Sequence, residues 1–223
     1  MHFKILVEDQ SGKETLEILV PKILDLNQNH TYIIHPYLGG GHIPEKLKSK
    51  TKPKDRILLD QLPRILEGIG KECKKSCAQI AVVVIVDLDD KCLKSFRTEL
   101  FRILENCNPR PTTCFCIAIE EGEAWLLGDL NAIKKAYNHA KNSVLDHYKN
   151  DDICGTWECL ADAVYKGGAS QLKKMGWQAV GREKSTWAKN ISPHMDIENN
   201  RSPSFNYFVK KIRDLATNTN CPF

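Results

Sequence analysis

Ile80-Ala81-Val82-Val83-Val84-Ile85-Val86 is followed directly by Asp87-Leu88-Asp89-Asp90. Seven unbroken apolar residues, most of them β-branched, are too short to cross a membrane and disfavour a helix. They predict a central parallel strand buried on both faces. In an open α/β sheet, ligands bind beyond the C-terminal ends of the strands. This strand ends in three carboxylates within four positions.

Asp87 and Asp89, two residues apart, are expected to face one crevice while Leu88 turns back to the core. Clustered carboxylates repel one another and are driven towards protonation unless a cation compensates. A hard divalent ion such as magnesium does so, taking oxygen ligands and keeping waters for a phosphate to replace. The plainer reading is a solvated acidic loop. Asp90 is assigned to it as the N-cap of a helix beginning near Lys91.

The flanking segments repeat the pattern. Residues 3–7 read as a first strand ending in Glu8 and Asp9, and Leu16, Leu19, Val20, Ile23 and Leu24 follow at helical spacing. Residues 31–35 predict a second strand, then Gly39-Gly40-Gly41, which suggests a mobile loop or a close backbone approach but lacks the spacing of a phosphate loop. Ile57 to Ile69 and Leu93 to Leu104 predict amphipathic helices. Residues 112–119 predict a further strand, again with acids beyond it. Alternating strands and helices imply a parallel sheet with right-handed crossovers, so Glu8, Asp87, Asp89 and Glu123 are expected to converge on one edge although far apart in sequence.

A length of 223 residues suffices for one sizeable core with an appendage. We expect an α/β, Rossmann-like core over residues 1–140, with helices on both faces of a central parallel sheet. A helical extension over residues 141–223 packs on it and uses Trp157, Trp177 and Trp187 chiefly as core. Arg201, Ser202 and Ser204, at a helix start marked by Pro203, fit a phosphate site or simple capping. Net charge is only +4, which permits a polyanionic partner without requiring one. Lys46, Lys48, Lys50, Lys52, Lys54 and Arg56 concentrate that charge, and read either as a solvated loop or as an arm reaching nucleic-acid phosphates. The nine cysteines include no Cys-x-x-Cys pair. Cys73 with Cys77, and Cys114 with Cys116, are spaced wrongly for tetrahedral zinc, so reduced thiols are expected. With no signal-peptide pattern after Met1 and no membrane-spanning run, the expected location is the cytoplasm.

Val7-Glu8, Val86-Asp87-Leu88-Asp89 and Glu121-Gly122-Glu123-Ala124-Trp125-Leu126-Leu127 together resemble the three acidic motifs of the Toprim domain. That domain occurs in topoisomerases, primases and the overcoming-lysogenization-defect nucleases, and the third motif is similar to that of the nuclease branch. The nearest likeness is to a bacterial family of small standalone Toprim-like proteins; it extends to Ser202-Pro203-Ser204-Phe205 and so covers most of the chain. Where the nuclease branch commonly has glycine after its glutamate and a second acid four residues on, this chain has Asp9 and Gly12, with Glu14 the nearest substitute. A serine common two residues before the third-motif glutamate is here Glu121.

The resemblance implies a nuclease dependent on Mg2+ or Mn2+, acting in anti-phage defence beside an ABC-type or AAA-type ATPase partner. Asp87 and Asp89 would hold one ion, Glu8 would share it or act as general base, and Glu123 with Glu121 would complete a second site. Residues 46–56 would neutralise the nucleic-acid backbone. One alternative is a non-catalytic, metal-binding subunit that docks to an ATPase or to nucleic acid. Another is a haloacid-dehalogenase-like phosphatase with Asp87 as nucleophile and Asp89 as acid. The chain lacks a Walker sequence of its own.

Overall fold

A computed structural model describes residues 1–24, 30–76, 79–152 and 155–217. Cys77 lies outside the described residues. Four strands, β1 (His2–Val7), β2 (Thr31–Pro36), β3 (Ile80–Asp87) and β4 (Thr112–Ala118), form one parallel sheet in the order β2-β1-β3-β4. The fold is α/β and Rossmann-like. β3 sits inside the sheet and is buried from Ile80 to Val86, as an apolar run with no polar alternation requires.

Side-chain alternation along the strands builds two cores. Phe3, Ile5, Val7, Val83 and Ile85 face one layer; Leu6, Val82, Val84 and Val86 face the other. Burying each Val, Leu, Ile or Phe side chain stabilises by roughly 1.5–3 kcal/mol, so β3 anchors both layers at once. The second layer is α2 (Leu58–Ser76) and α3 (Leu93–Glu105). Cys92, rather than Asp90, stands at the N-cap of α3.

The first layer holds α1 (Gln10–Ile23) and the later helices: α4 (Glu123–Leu127), α5 (Leu130–Ala136), α6 (Asn142–Leu145), α7 (Thr156–Val164), α8 (Gly168–Lys174), α9 (Trp177–Ile191) and α10 (Pro203–Thr217). Leu145, Trp157, Trp187, Phe205 and Phe208 join the same buried cluster as Phe3 and Leu16. Trp177 departs from the expected core role, 76% exposed and edge-on to Trp157. At the start of α10, Asp151 accepts from the Ser202 hydroxyl at 2.8 Å and from the Ser204 N–H at 2.6 Å. A carboxylate of the chain itself therefore fills the position suggested for a phosphate.

The lysine-rich segment is not a free arm. Asp60, 6% exposed in the first turn of α2, accepts from the Thr51 hydroxyl at 2.6 Å, the Ser49 hydroxyl at 2.7 Å, and the Lys50 and Thr51 N–H groups. Burial alone would raise the Asp60 pKa, but these donors outweigh it and hold the carboxyl well below the usual range. Lys46, Lys48, Lys50, Lys52 and Lys54 all remain exposed on the pinned loop. Among the described residues no helix is long and apolar enough to cross a membrane.

Asp60→Ala should cost about 2–3 kcal/mol in urea unfolding, the scale of hydrogen bonds to a charged group left without their acceptor. Because the folded pKa is depressed, the Asp60 contribution should be present above the ordinary aspartate value, about 3.9, and fade as pH falls below it.

Candidate functional site

Connectivity makes the crevice. From β1 the chain steps through α1 to β2 on one side, then returns through α2 to β3 on the other side of β1. The two crossovers diverge beyond the C-terminal ends of β1 and β3, and such a switch point leaves a cleft. Glu8 follows β1 and Asp87 ends β3, so these two acids flank it.

Main-chain donors hold Glu8. The Gly40 N–H donates to Glu8 Oε1 at 2.8 Å and the Asp87 N–H to Glu8 Oε2 at 3.1 Å. A Cβ on Gly40 would collide with the Glu8 carboxylate. The triple glycine is thus a close backbone approach, and what it approaches is the first acid of the site.

Glu8, Asp9, Asp87 and Glu123 line one cavity of about 30 Å³, room for an ion or a water or two. Asp9 caps α1, accepting from the Gly12 N–H and the Ser11 hydroxyl, both at 2.7 Å. Gly12 is needed there because a side chain would press into Val7. Glu123 opens α4 and is 3% exposed. Its Oε2 lies 2.9 Å from the ammonium of Lys184, which reaches in from α9, yet has no well-directed hydrogen bond. Lys184 also stands 3.6 Å from Glu121.

The electrostatics are those of acids crowded out of water. Burial raises the pKa of Glu8, and the charges of Asp89 and Asp9 raise it further against the two N–H bonds. Burial and then Glu8 raise Asp87 well above the carboxylate range. Burial also raises Glu123, with Lys184 opposing. Burial pushes Glu121 up to about 7, again against Lys184. For Lys184 burial works against the charge, but Glu123, Glu121, Asp87 and Asp9 outweigh it and lift its pKa above that of an ordinary lysine.

The structure therefore gathers Glu8, Asp87 and Glu123 around the cavity and sets Glu121 beside them, on Lys184. Asp89 is not in the cavity lining: it adopts a left-handed backbone, φ 51°, and its carboxylate pairs with Lys91 Nζ at 2.6 Å, while its charge still bears on Glu8. The extended alternation that would have paired it with Asp87 stops at Leu88. Glu14 points elsewhere too, to Gln10 and Lys189; Asp9 is the further acid in the cavity. Lys46, Lys48, Lys50, Lys52 and Lys54 do not line it, and Arg56 donates to the Pro36 carbonyl.

Sequence reasoning missed Lys184. The available signal was its position on α9, four residues after Val180 and three before Trp187, on a stripe otherwise buried. A lysine there must find a carboxylate.

The donor set suits a hard divalent cation: all oxygen, mutually repelling, with a buried Glu123 oxygen lacking a directed donor. Among the described residues the side chains as placed do not form a ready cluster of ligands; Lys184 instead supplies positive charge.

Lys184→Met should cost about 3–5 kcal/mol, because it leaves buried Glu123 uncompensated, and Glu123→Gln in the same chain should recover part of that loss in urea melts. Glu121 gives a pH signature. Its folded pKa is raised, so its contribution to stability is present below the ordinary glutamate value and is lost as pH rises to about 7. In thermal melts Glu121→Gln should gain on the wild type between pH 5 and pH 8.

No curated protein matches the chain, and no solved structure does. The family model described as a domain of unknown function, DUF4276, matches residues 7–213. This α/β chain, with its acidic cavity at the switch point, belongs to the DUF4276 family.

Proposed function

We propose that the protein is a metal-dependent nuclease, hydrolysing phosphodiester bonds of DNA or RNA at the cavity between the ends of β1 and β3. The observation that carries this reading is the convergence of Glu8, Asp9, Asp87 and Glu123 on one small cavity, with the Lys184 ammonium paired to Glu123. It is the activity that the Toprim resemblance implies, as are a role in defence and an ATPase partner.

Asp87 and Glu123 are the first choice to hold Mg2+ or Mn2+, since Glu8 and Asp9 already accept hydrogen bonds from the main chain. A divalent ion there would polarise the phosphate and lower the pKa of a bound water. Glu8 is oriented by two N–H donors and has a raised pKa, which fits it to accept the proton of the attacking water. Lys184 Nζ offers a donor to a phosphoryl oxygen as negative charge develops on it.

The docking-subunit alternative draws support from Lys184, which partly neutralises the acids without a metal, and from the pairing of Asp89 with Lys91. That pairing also weakens the phosphatase alternative, which needs Asp89 as its acid.

Plasmid DNA and total tRNA incubated with Mg2+ or Mn2+ should be cut by the wild type. Asp87→Ala and Glu8→Ala should each lose activity on the order of 10²-fold or more, the scale for removing one charge-stabilising group from an active site. Mg2+ should also raise the melting temperature of the wild type but not of Asp87→Ala. A wild type that cuts neither substrate, with or without a co-purified ATPase, would sink the nuclease reading in favour of the docking subunit.

A further inference from the structure

Beside the acidic cavity lies a second, wider groove of about 640 Å³, which shares Asp9 and Ser11 with it. One wall is the chain leaving β2, Pro36 to Leu38, with Arg56; the other is α9, with Arg182 and Lys189. We propose that this groove holds the phosphodiester backbone of the nucleic-acid substrate, with Arg56, Arg182 and Lys189 as its charge contacts. The proposal rests on the nuclease reading of the adjoining cavity and names where its substrate lies.

Charge balance is the first argument. The cavity presents four carboxylates against one lysine, so a polyanion approaching it alone is repelled. The groove shares Asp9 and Ser11 with that cavity and is lined by three cations against the single carboxylate of Asp9. Among the described residues neither Arg56 nor Arg182 has a carboxylate partner, and Lys189 has Glu14 at 3.5 Å. The Arg56 guanidinium is fixed by the Pro36 carbonyl and keeps further donors for a phosphate.

Helix geometry is the second. Arg182, Ser185 and Lys189 lie on one face of α9, and Lys184 is one residue from Ser185. One helix therefore delivers Lys184 to the acids and Arg182 with Lys189 to the groove beside them. Arg182 and Lys189 are seven positions apart, about 10 Å along the axis, so the two cations can reach different phosphates of one strand. The hydroxyls of Ser185 and Thr186 donate back to Gly181 and Arg182 carbonyls, so the cations carry the contact. Leu38, 70% exposed on the opposite wall, gives sugars and bases an apolar surface.

Of the lysine-rich segment only Arg56 lines the groove; Lys46, Lys48, Lys50, Lys52 and Lys54 do not. The principal phosphate contacts thus come from Arg56 and α9, and Lys46 to Lys54 contribute little.

The test is fluorescence anisotropy with short labelled single-stranded DNA and RNA, titrated in calcium over a salt series, with cleavage followed in parallel on gels. The groove variant Arg56→Gln/Arg182→Gln/Lys189→Gln should bind at least about ten-fold more weakly, and its log–log salt slope should fall by about 2, near 0.7 per phosphate contact. Arg182→Gln alone, at an exposed side chain with no carboxylate partner among the described residues, should lower the slope by about 0.7 without a change in melting temperature. A loop variant with Lys46, Lys48, Lys50, Lys52 and Lys54 changed to Gln should bind within a few-fold of the wild type. Equal losses in loop and groove variants, a loss confined to the loop variant, or a wild type that binds neither oligonucleotide would each overturn the inference. Cleavage separates the two ideas: a groove variant that binds normally while Asp87→Ala abolishes cutting overturns the groove and leaves the nuclease standing. Binding that depends on the groove without any cutting by the wild type supports the groove as a nucleic-acid site and removes the nuclease.

Discussion

Four carboxylates held within one small cavity repel one another, and the site exists because main-chain N–H groups and one ammonium offset that repulsion. Glu8 is satisfied by Gly40 and Asp87 and Asp9 by the first turn of α1, while the Lys184 ammonium offsets the charge of Glu123 without a directed hydrogen bond to its Oε2. Burial still wins over these partners at Glu8, Asp87 and Glu123, whose pKa values stay raised. Such a cluster is tense in the absence of further positive charge, and that tension is what a cation or a bound proton relieves.

The architecture around it follows from strand order. Had the sheet run β1-β2-β3-β4, the ends of β1 and β3 would be separated by a strand. The order β2-β1-β3-β4 makes them neighbours, with Val7 paired to Ile85. The Asp87 main-chain N–H then donates to the carboxylate of Glu8, 79 positions earlier in sequence. The layer carrying α9 closes the other side, so the acidic edge is completed by a residue from late in the chain.

Much of this was legible in the sequence, and the reasons are specific. The run from Ile80 to Val86 has no polar residue and so no choice of exposed face, which fixes an interior strand. The acids after β1, β3 and β4 were visible because parallel strands share direction. Asp89 departs from the expected alternation with Asp87 because the extended backbone ends at Leu88 and turns left-handed at Asp89. Lys184 was hidden because residues 141–223 read only as a helical extension without internal register, and only once residues 177–191 form one continuous helix does that lysine fall on the buried stripe. The lysine-rich loop announced its charge, but its tether is the hydrogen-bonding of a single buried Asp60, which no periodicity reveals.

The Gly40 amide has a consequence for how sequences of this kind can drift. The partners that orient Glu8 are peptide groups, and a peptide group is the same whatever side chain hangs from it. Side chains in the segment from Leu38 to Arg56 can therefore be exchanged without touching the proton affinity of Glu8, provided the path of the main chain is kept. Gly40 itself lacks that freedom, because any side chain there would occupy the volume of the acid, and Gly41 beside it is held by a positive φ and by Ile57.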